Sequence, residues 1–432
     1  MPKEKIFDVV IVGAGIAGCH LAQLLANHDM RVAVVDRKPL PTSGPHWLNA
    51  VPLWMFDEAG LARPFGQELF DLNDRFIIRS VDDKALHIDN LGLADVDMAL
   101  LGKRLKANAF DGGRGIKFHN VAIEGAFCDQ TGRLAELSGS ANDKTLSFKS
   151  KVFVDASGTS AILRQSHPWA HRYWPKPSLK DLCSAAQRTL DINDRHGAED
   201  FLMKNDCMPK DVMAKVGFLG GYSLFRWQID EEMRHISILC GVRALPGATN
   251  AKQIVDRFVA NNKWIGSHFI DGRGAIPLNA PYKQLIAPGM ALLGDAACQV
   301  YAAHGSGIGI GLLAAKMLAD VLVLAHRSDQ DLGDMPVLSQ YQQSFHRRFA
   351  RRLKFSETVR RISEKLDQSQ ISLLIKSGLL NQSLAKQTLH QEEPGLPIGH
   401  LPLLVHKALI SPQLFSSLLP LFARTLVGGK RT

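Results

Sequence analysis

The sequence predicts an α/β protein with a parallel sheet at its N-terminus, an antiparallel or mixed sheet after it and helices at its C-terminal end. Three stretches near the start carry the first part of that expectation. Phe7 to Val12 (FDVVIV) is a short apolar run rich in β-branched residues, read as a buried parallel strand. Gly13-Ala14-Gly15-Ile16-Ala17-Gly18 follows at once, and Cys19 to Asn27 continues with Leu21, Leu24 and Leu25 at helical spacing. Arg31 to Val35 reads as a second strand, and Asp36 closes it.

Each part of this strand–loop–helix–strand–acid unit has a physical task. Gly13 permits the tight turn out of the strand. Gly15 lets the backbone approach a pyrophosphate, and Gly18 lets the helix pack closely on the sheet. The helix N-terminus offers free N–H groups and the positive end of a dipole to phosphates, and Ile16 and Ala17 in the loop before it are further cofactor-binding candidates. Asp36, with Arg37 beside it, is placed to accept bonds from a ribose hydroxyl pair. An acid there disfavours a 2′-phosphate, which leaves FAD and NAD as the candidate dinucleotides.

Two distant segments separate those two. Lys151 to Arg164 (KVFVDASGTSAILR) runs a strand over Val152 to Val154 into Asp155 and a small-residue turn with Gly158. Ala291 to Leu313 (ALLGDAACQVYAAHGSGIGIGLL) runs an apolar strand into Gly294 and Asp295, then a glycine-rich turn that opens a long helix near Gly305 to Ile308. With these motifs in order, residues 5 to 325 resemble the flavoproteins that include geranylgeranyl reductases, lycopene-cyclase-like proteins and flavin-dependent halogenases. More distantly they resemble hydroxylases of the para-hydroxybenzoate hydroxylase fold. The resemblance implies FAD as cofactor. It implies that Asp295 meets the ribityl chain and that Gly305, Gly307 and Ile308 lie against the isoalloxazine, where a helix start stabilises negative charge. It also implies a discontinuous Rossmann-type FAD-binding domain at 1–182 and 282–335. A substrate-binding sheet region at 183–281 and a helical region at 336–432 complete the expected organisation.

The chain departs from these relatives at several positions. Ala302 stands where many carry Pro, and His304 stands before the glycine pair, where it is a candidate proton donor. Met98 replaces an Arg that precedes the second crossover helix, and Arg104 on that helix is the candidate to compensate. Ala156-Ser157-Gly158 replaces the DG motif of the NADPH-using hydroxylases, and no second GxGxxG follows. Electrons are therefore expected from a separate flavin reductase, from free reduced flavin or from transient NAD(P)H contact. Neither the WxWxIP signature of tryptophan halogenases nor a clean YxWxFP-like signature of prenyl reductases is present; Trp47 to Trp54 and Gly221 to Trp227 stand in their place.

Short alternating runs such as His235 to Val242 read as antiparallel strands. Tyr222, Phe225, Trp227 and Trp47 are the aromatic candidates to line a substrate pocket there. Further on, Ile371 to Leu380 and Leu401 to Leu421 are rich in Leu and Ile, with a hinge at Pro394 to Pro402. They read as a helical cap, or as an apolar face that approaches a lipid.

The 432 residues carry a net charge of +9, and 46% are hydrophobic, enough for a sizeable core. The stretch Phe345 to Lys354 holds five positive charges and no acid. Its alternatives are a solvated helix face and a membrane or partner surface. Nucleic acid is not expected, because no binding motif accompanies the charge. The six cysteines show no CxxC spacing, so no metal site is expected, and free thiols suit a reducing cytoplasm. No stretch reads as the ~20 apolar residues of a membrane span. A cytoplasmic protein is expected, with peripheral membrane attachment as the alternative.

The functional expectation is an FAD-dependent oxidoreductase with a bulky apolar or aromatic substrate, free or carried by a protein or membrane. Available Trp and Phe tip it toward monooxygenase or halogenase-like chemistry. The alternatives are a prenyl (geranylgeranyl-type) reductase, a lycopene cyclase-like enzyme, and a maturation factor that modifies side chains of a partner protein.

Overall fold

The computed structural model describes residues 6–26, 28–111 and 115–392. Its first sheet is ordered Ile286–Ala287, Met290–Leu292, Lys144–Asp155, Phe7–Val12, Val32–Asp36, Ile116–Asn120. The four pairings from Met290–Leu292 to Ile116–Asn120 are parallel. Parallel strands need both faces covered, so these read as continuous apolar runs. Val9, Val10 and Ile11 are fully buried, and each such side chain contributes roughly 1.5–3 kcal/mol of transfer free energy. Helix Ile16–Leu25 covers this sheet and packs on helix Ile308–Arg327.

Helix Ile308–Arg327 corrects one expectation. It has 20 residues and is long and apolar enough to cross a membrane. Most of its apolar stretch lies inside the protein, with Ile310, Leu312, Leu318 and Leu322 fully buried. Its composition is that of a core helix packed on several sides.

The second sheet has seven strands in the order Ile265–Pro277, Leu182–Ile192, His235–Arg243, Ser223–Ile229, Val212–Val216, Arg75–Arg79, Ala85–Asp89. The last two strands lie within the segment 1–182 that the sequence assigns to the nucleotide domain. They belong instead to this sheet, because Arg75–Arg79 pairs in parallel with Val212–Val216, Phe76 opposite Val212 and Arg79 opposite Lys215. That pairing joins residues more than a hundred positions apart, which local pattern does not report. Strands Leu48–Pro52, Leu93–Asp97 and Leu69–Leu72, in that order, form a third, small sheet.

Three further helices follow: Met335–Ser363, Gln368–Lys376 and Gln382–Leu389. The basic run falls within the first of them. Phe345, Phe349 and Leu353 are fully buried, and the cations between them face outward. Arg348 pairs with Glu58, and Lys354 with Glu357. The run is thus the polar face of an amphipathic helix. Leu401 to Leu421 and the hinge at Pro394 to Pro402 lie outside the described residues.

Candidate functional site

A crevice of about 490 Å³ opens at the C-terminal ends of the parallel strands, where open α/β sheets bind ligands. Gly13 leaves the first strand at φ +113°, and a Cβ there would lie 2.3 Å from the Ala156 carbonyl oxygen. A Cβ on Gly18 would lie 2.1 Å from the Gly13 oxygen. These two glycines seat the helix against the strand end. A Cβ on Gly15 would meet nothing within 4 Å and would protrude where the crevice lies. Gly15 also N-caps the helix with no side-chain cap, so the first N–H groups stay available.

Asp36 accepts bonds from the Ala14 and Lys38 N–H groups, each at 2.8 Å. Both bonds fix the carboxylate at the crevice wall, with Arg37 beside it. Gly294 and Asp295 enter from the other side, followed by Gly305, Gly307 and Ile308. The Asp295 carboxyl is pushed up to about 6 by burial, and it has no side-chain hydrogen bond among the described residues. Helix Ile308–Arg327 starts at Gly307, again without a side-chain cap. A half-buried acid in need of donors, two uncapped helix starts and a glycine floor fit a long ligand with hydroxyls, phosphates and an electron-accepting ring. FAD has these features.

Asp155 and Arg104 are corrections. Asp155 is fully buried and turned into its own loop, where it accepts from Ser157 N–H and O–H and from Arg164 N–H. It holds the turn that presents Gly158 to the crevice. Arg104 is bonded to both Glu68 oxygens at 2.7 Å and to the Ala62 carbonyl. A guanidinium committed to a buried carboxylate is unavailable for phosphate, and it does not line the crevice.

A second cavity, of about 410 Å³, adjoins the first. Both are bounded by Trp47, Asn49, Ile276 and Gly305. Its wall is largely aliphatic and aromatic. The seven-stranded sheet supplies Phe76, Ile78, Ala214 and Leu224, and the last three helices supply Phe355, Val359, Ile371, Leu374, Leu384 and Leu389. Arg226 is the charged exception. It is buried and paired with buried Asp95, and it donates to Asn73.

The four aromatic candidates divide. Trp47 stands between the two cavities, seated against Gly272 and Gly274; a Cβ on either would crowd the indole residue at 2.6 and 3.2 Å. Tyr222 lines the apolar cavity, its hydroxyl 3.6 Å from where a Cβ on Gly305 would sit. Burial pushes its phenol well above the ordinary value. Phe225 and Trp227 do not line the cavity. They occupy alternate positions of Ser223–Ile229, so they face the opposite side of the sheet from Leu224 and Arg226. There Trp227 packs on Phe201 and Phe225 on Phe258.

His304 does line the apolar cavity. Its ring stacks on Tyr301 at 5.8 Å and 9°, and burial pushes its pKa down to about 4, against the opposing effect of a hydrogen bond to the Thr388 backbone carbonyl. At neutral pH it is an uncharged imidazole. The residues missed from sequence are the aliphatic helix positions such as Leu374, Leu384 and Leu389. Their spacing was visible, but not which wall they would face. No cluster among the described residues could hold a metal ion.

Residues 8–89 match the profile of the FAD dependent oxidoreductase (DAO) family. The chain is an FAD-dependent oxidoreductase. Over 396 residues it is 23% identical to the digeranylgeranylglycerophospholipid reductase of Sulfolobus acidocaldarius, covering 88% of this chain and 82% of that protein. Its fold is similar to that of a geranylgeranyl bacteriochlorophyll reductase-like protein from Thermoplasma acidophilum, with TM-score 0.74, 16% identity and coverage of 96% and 99% of the two chains. A myxobacterial chondrochloren halogenase, an FAD-dependent enzyme, shares the fold at TM-score 0.63 and 14% identity, covering 95% and 91%. The FAD-dependent oxidoreductase thus has both reductases and halogenases among its structural neighbours, while the long sequence alignment is to a prenyl-lipid reductase.

Proposed function

We propose that this oxidoreductase reduces carbon–carbon double bonds of a prenyl chain borne on a lipid. The observation that carries this reading is the aliphatic cavity that meets the dinucleotide crevice at Trp47, Asn49, Ile276 and Gly305. A prenyl chain offers no hydrogen-bonding handle, so it is held by apolar burial alone. The cavity wall has that character. The oxygenase or halogenase reading rested on Trp and Phe stacking against an aromatic ring. Trp227 and Phe225 face another core, and the similarity to the Sulfolobus acidocaldarius protein favours reduction.

In this proposal Gly13, Gly15, Ile16, Ala17, Gly18, Asp36 and Arg37 hold the nucleotide half of FAD. Gly158, Gly294, Asp295, Gly305, Gly307 and Ile308 hold the remainder. When bound and reduced, FAD supplies hydride to one carbon of the double bond. Trp47 limits how the chain enters the junction. The other carbon needs a proton. Tyr222 is protonated at neutral pH and reaches Gly305 at that junction, so its O–H is the donor, replenished from solvent. Neutral His304 orients the turn before Gly305 rather than acting as an acid.

The test is anaerobic turnover of the FAD-loaded protein with dithionite and a digeranylgeranyl glycerolipid, read by mass spectrometry. The expected product gains two hydrogens per double bond. A product of unchanged mass would point to cyclisation or isomerisation. Oxygen or halide uptake, seen only when air is admitted, would overturn the reductase reading.

A further inference from the structure

We propose that one end of the seven-stranded sheet is a docking surface for an anionic lipid bilayer. The inference rests on the prenyl-lipid reading, and it adds where such a substrate is met. Strand register puts four loops side by side at this end. Cys183 is opposite Arg243, Ser223 opposite Val242, Val216 opposite Leu224, Lys215 opposite Arg79 and Arg79 opposite Ala85. The loops at 80–84, 178–181, 217–222 and 244–250 therefore share one edge of the molecule. The junction between helices Met335–Ser363 and Gln368–Lys376 joins them. Gly221 N–H donates to the Leu366 carbonyl at 2.8 Å, and the Gln368 amide to the Phe218 carbonyl at 2.7 Å.

Each of the four loops ends in an exposed large apolar side chain. Val81 is 41% exposed, Leu179 57%, Leu219 57% and Leu245 40%. One exposed apolar residue is ordinary, but four gathered at one end of the sheet mark an interaction surface. Lys84, Lys180 and Lys365 are exposed at the same end and have no ion-pair partner among the described residues. The acids there are already neutralised or committed. Asp82 pairs with Lys376, Asp181 and Glu364 pair with Arg360, and Glu364 also pairs with Arg243. Asp83 lies 4.0 Å from Arg79, and Asp367 caps its helix through the Gln370 N–H. The unbalanced charge is positive.

The opposite end of the same sheet is the internal contrast. Met203 and Met208 are exposed there too, 74% and 59%. The cations near them are balanced: Arg75, which reaches the Met208 sulfur, pairs with Asp211, Lys210 with Glu231 and Arg234 with Glu232, and exposed Lys204 is offset by exposed Asp200 and Asp206, so this end has no positive surplus to attract an anionic surface. The apolar cavity also distinguishes the two ends, because Gly217, Gly221, Ser363 and Leu366 at the basic end form part of its wall. Apolar tips that enter the headgroup boundary, ringed by lysines, match the chemistry of an anionic bilayer surface. Docking in this way holds the prenyl cavity against the layer that contains its substrate.

The experiment is flotation of the full-length, FAD-loaded protein with vesicles of phosphatidylcholine, alone or mixed with phosphatidylglycerol. Binding to the mixed vesicles is expected, weaker at high salt, and little to phosphatidylcholine alone. The double variants Leu219→Ser/Leu245→Ser and Lys180→Glu/Lys365→Glu should each lower partitioning by about tenfold or more. Met203→Ser/Met208→Ser at the opposite end should bind as the wild type does. Patch variants with wild-type spectra and melting that still bind fully would overturn the proposal. A wild type that ignores the vesicles and instead dimerises through the leucines would overturn it in favour of a second copy. Reduction of a short, soluble prenyl alcohol separates the two readings. Patch-dependent binding without any prenyl reduction removes the substrate reading and leaves the surface. Reduction with patch-independent binding does the reverse.

Discussion

The crevice and the apolar cavity share a boundary of Trp47, Asn49, Ile276 and Gly305, yet they are built in opposite ways. The crevice is made from backbone groups, glycine gaps and carboxylates at the ends of parallel strands. Each of its parts is set by a few adjacent residues. The cavity is made from side chains of strands and helices as far apart in the chain as Phe76, Ala214, Leu224, Ile371 and Leu389. A polar ligand needs directional groups at fixed spacing. An apolar chain needs only volume and the exclusion of water. The difference teaches that cofactor and substrate sites can fail separately, and the following changes exploit that.

The largest effect is expected on the crevice side. Gly13→Val places a side chain at φ +113° and against the Ala156 carbonyl, so purified protein should retain no FAD absorbance and should melt lower by several degrees. A variant that keeps full FAD would show that the crevice is not where the cofactor sits. Next, Tyr222→Phe should lower kcat for prenyl reduction by about a hundredfold, the lower range for loss of a proton donor. FAD content and KM should stay near wild type. An unchanged kcat would move the proton source elsewhere.

Asp295→Asn sharpens the contrast through pH. Burial raises the Asp295 carboxyl to about 6 in the folded protein, above its unfolded value. Its contribution is therefore stabilising at low pH and is lost as pH rises through about 6. FAD-free Asp295→Asn should match the wild type near pH 4 and exceed it at pH 8 by about 1–2 kcal/mol, discounted from the full shift for partial exposure. FAD binding should show the opposite trend, weakening in the wild type as pH falls below about 6, if the ionised carboxylate accepts the ribityl hydroxyls. Paired melting curves and fluorescence titrations at both pH values check this. The smallest effect belongs to the cavity. Ala214→Phe fills part of its wall and should raise KM for a long prenyl chain by about tenfold, roughly 1.4 kcal/mol of lost binding. FAD affinity should not move. Equal losses for short and long chains would mean that the chain does not pass Ala214.

Several elements were legible without the structure. Strand Phe7–Val12 stands where the apolar run places it. Helix Ile16–Leu25 starts three residues before the Cys19 start read from the leucine spacing, because Ile16 and Ala17 sit inside the glycine motif and hide the helical period. The strand read over Val152 to Val154 runs from Lys144 to Asp155. Its outer half pairs antiparallel with Leu134–Ala141 and is exposed over its first four residues, so it lacks the continuous apolar signal of the inner half. The crevice positions from Gly13 to Asp36 and from Gly294 to Ile308 meet around one space. Arg104 was misread because its partner Glu68 lies 36 residues away, at the end of a short 3-10 turn. Phe225 and Trp227 were misread because a strand gives no sign of which face looks toward a cavity.

The sequence by itself determined the dinucleotide crevice and the oxidoreductase class, because glycine spacing, helix starts and strand-end acids act within a few residues of one another. Only the tertiary structure decided the rest. It showed that residues 75–89 complete the second sheet, that Tyr222 and not Phe225 or Trp227 faces the cavity, and that helices after residue 335 close its wall. It also showed that four loops distant in sequence share one apolar, basic end. Such features depend on which faces come together across long chain separations, and apolar packing carries no directional mark in the sequence to announce its partner.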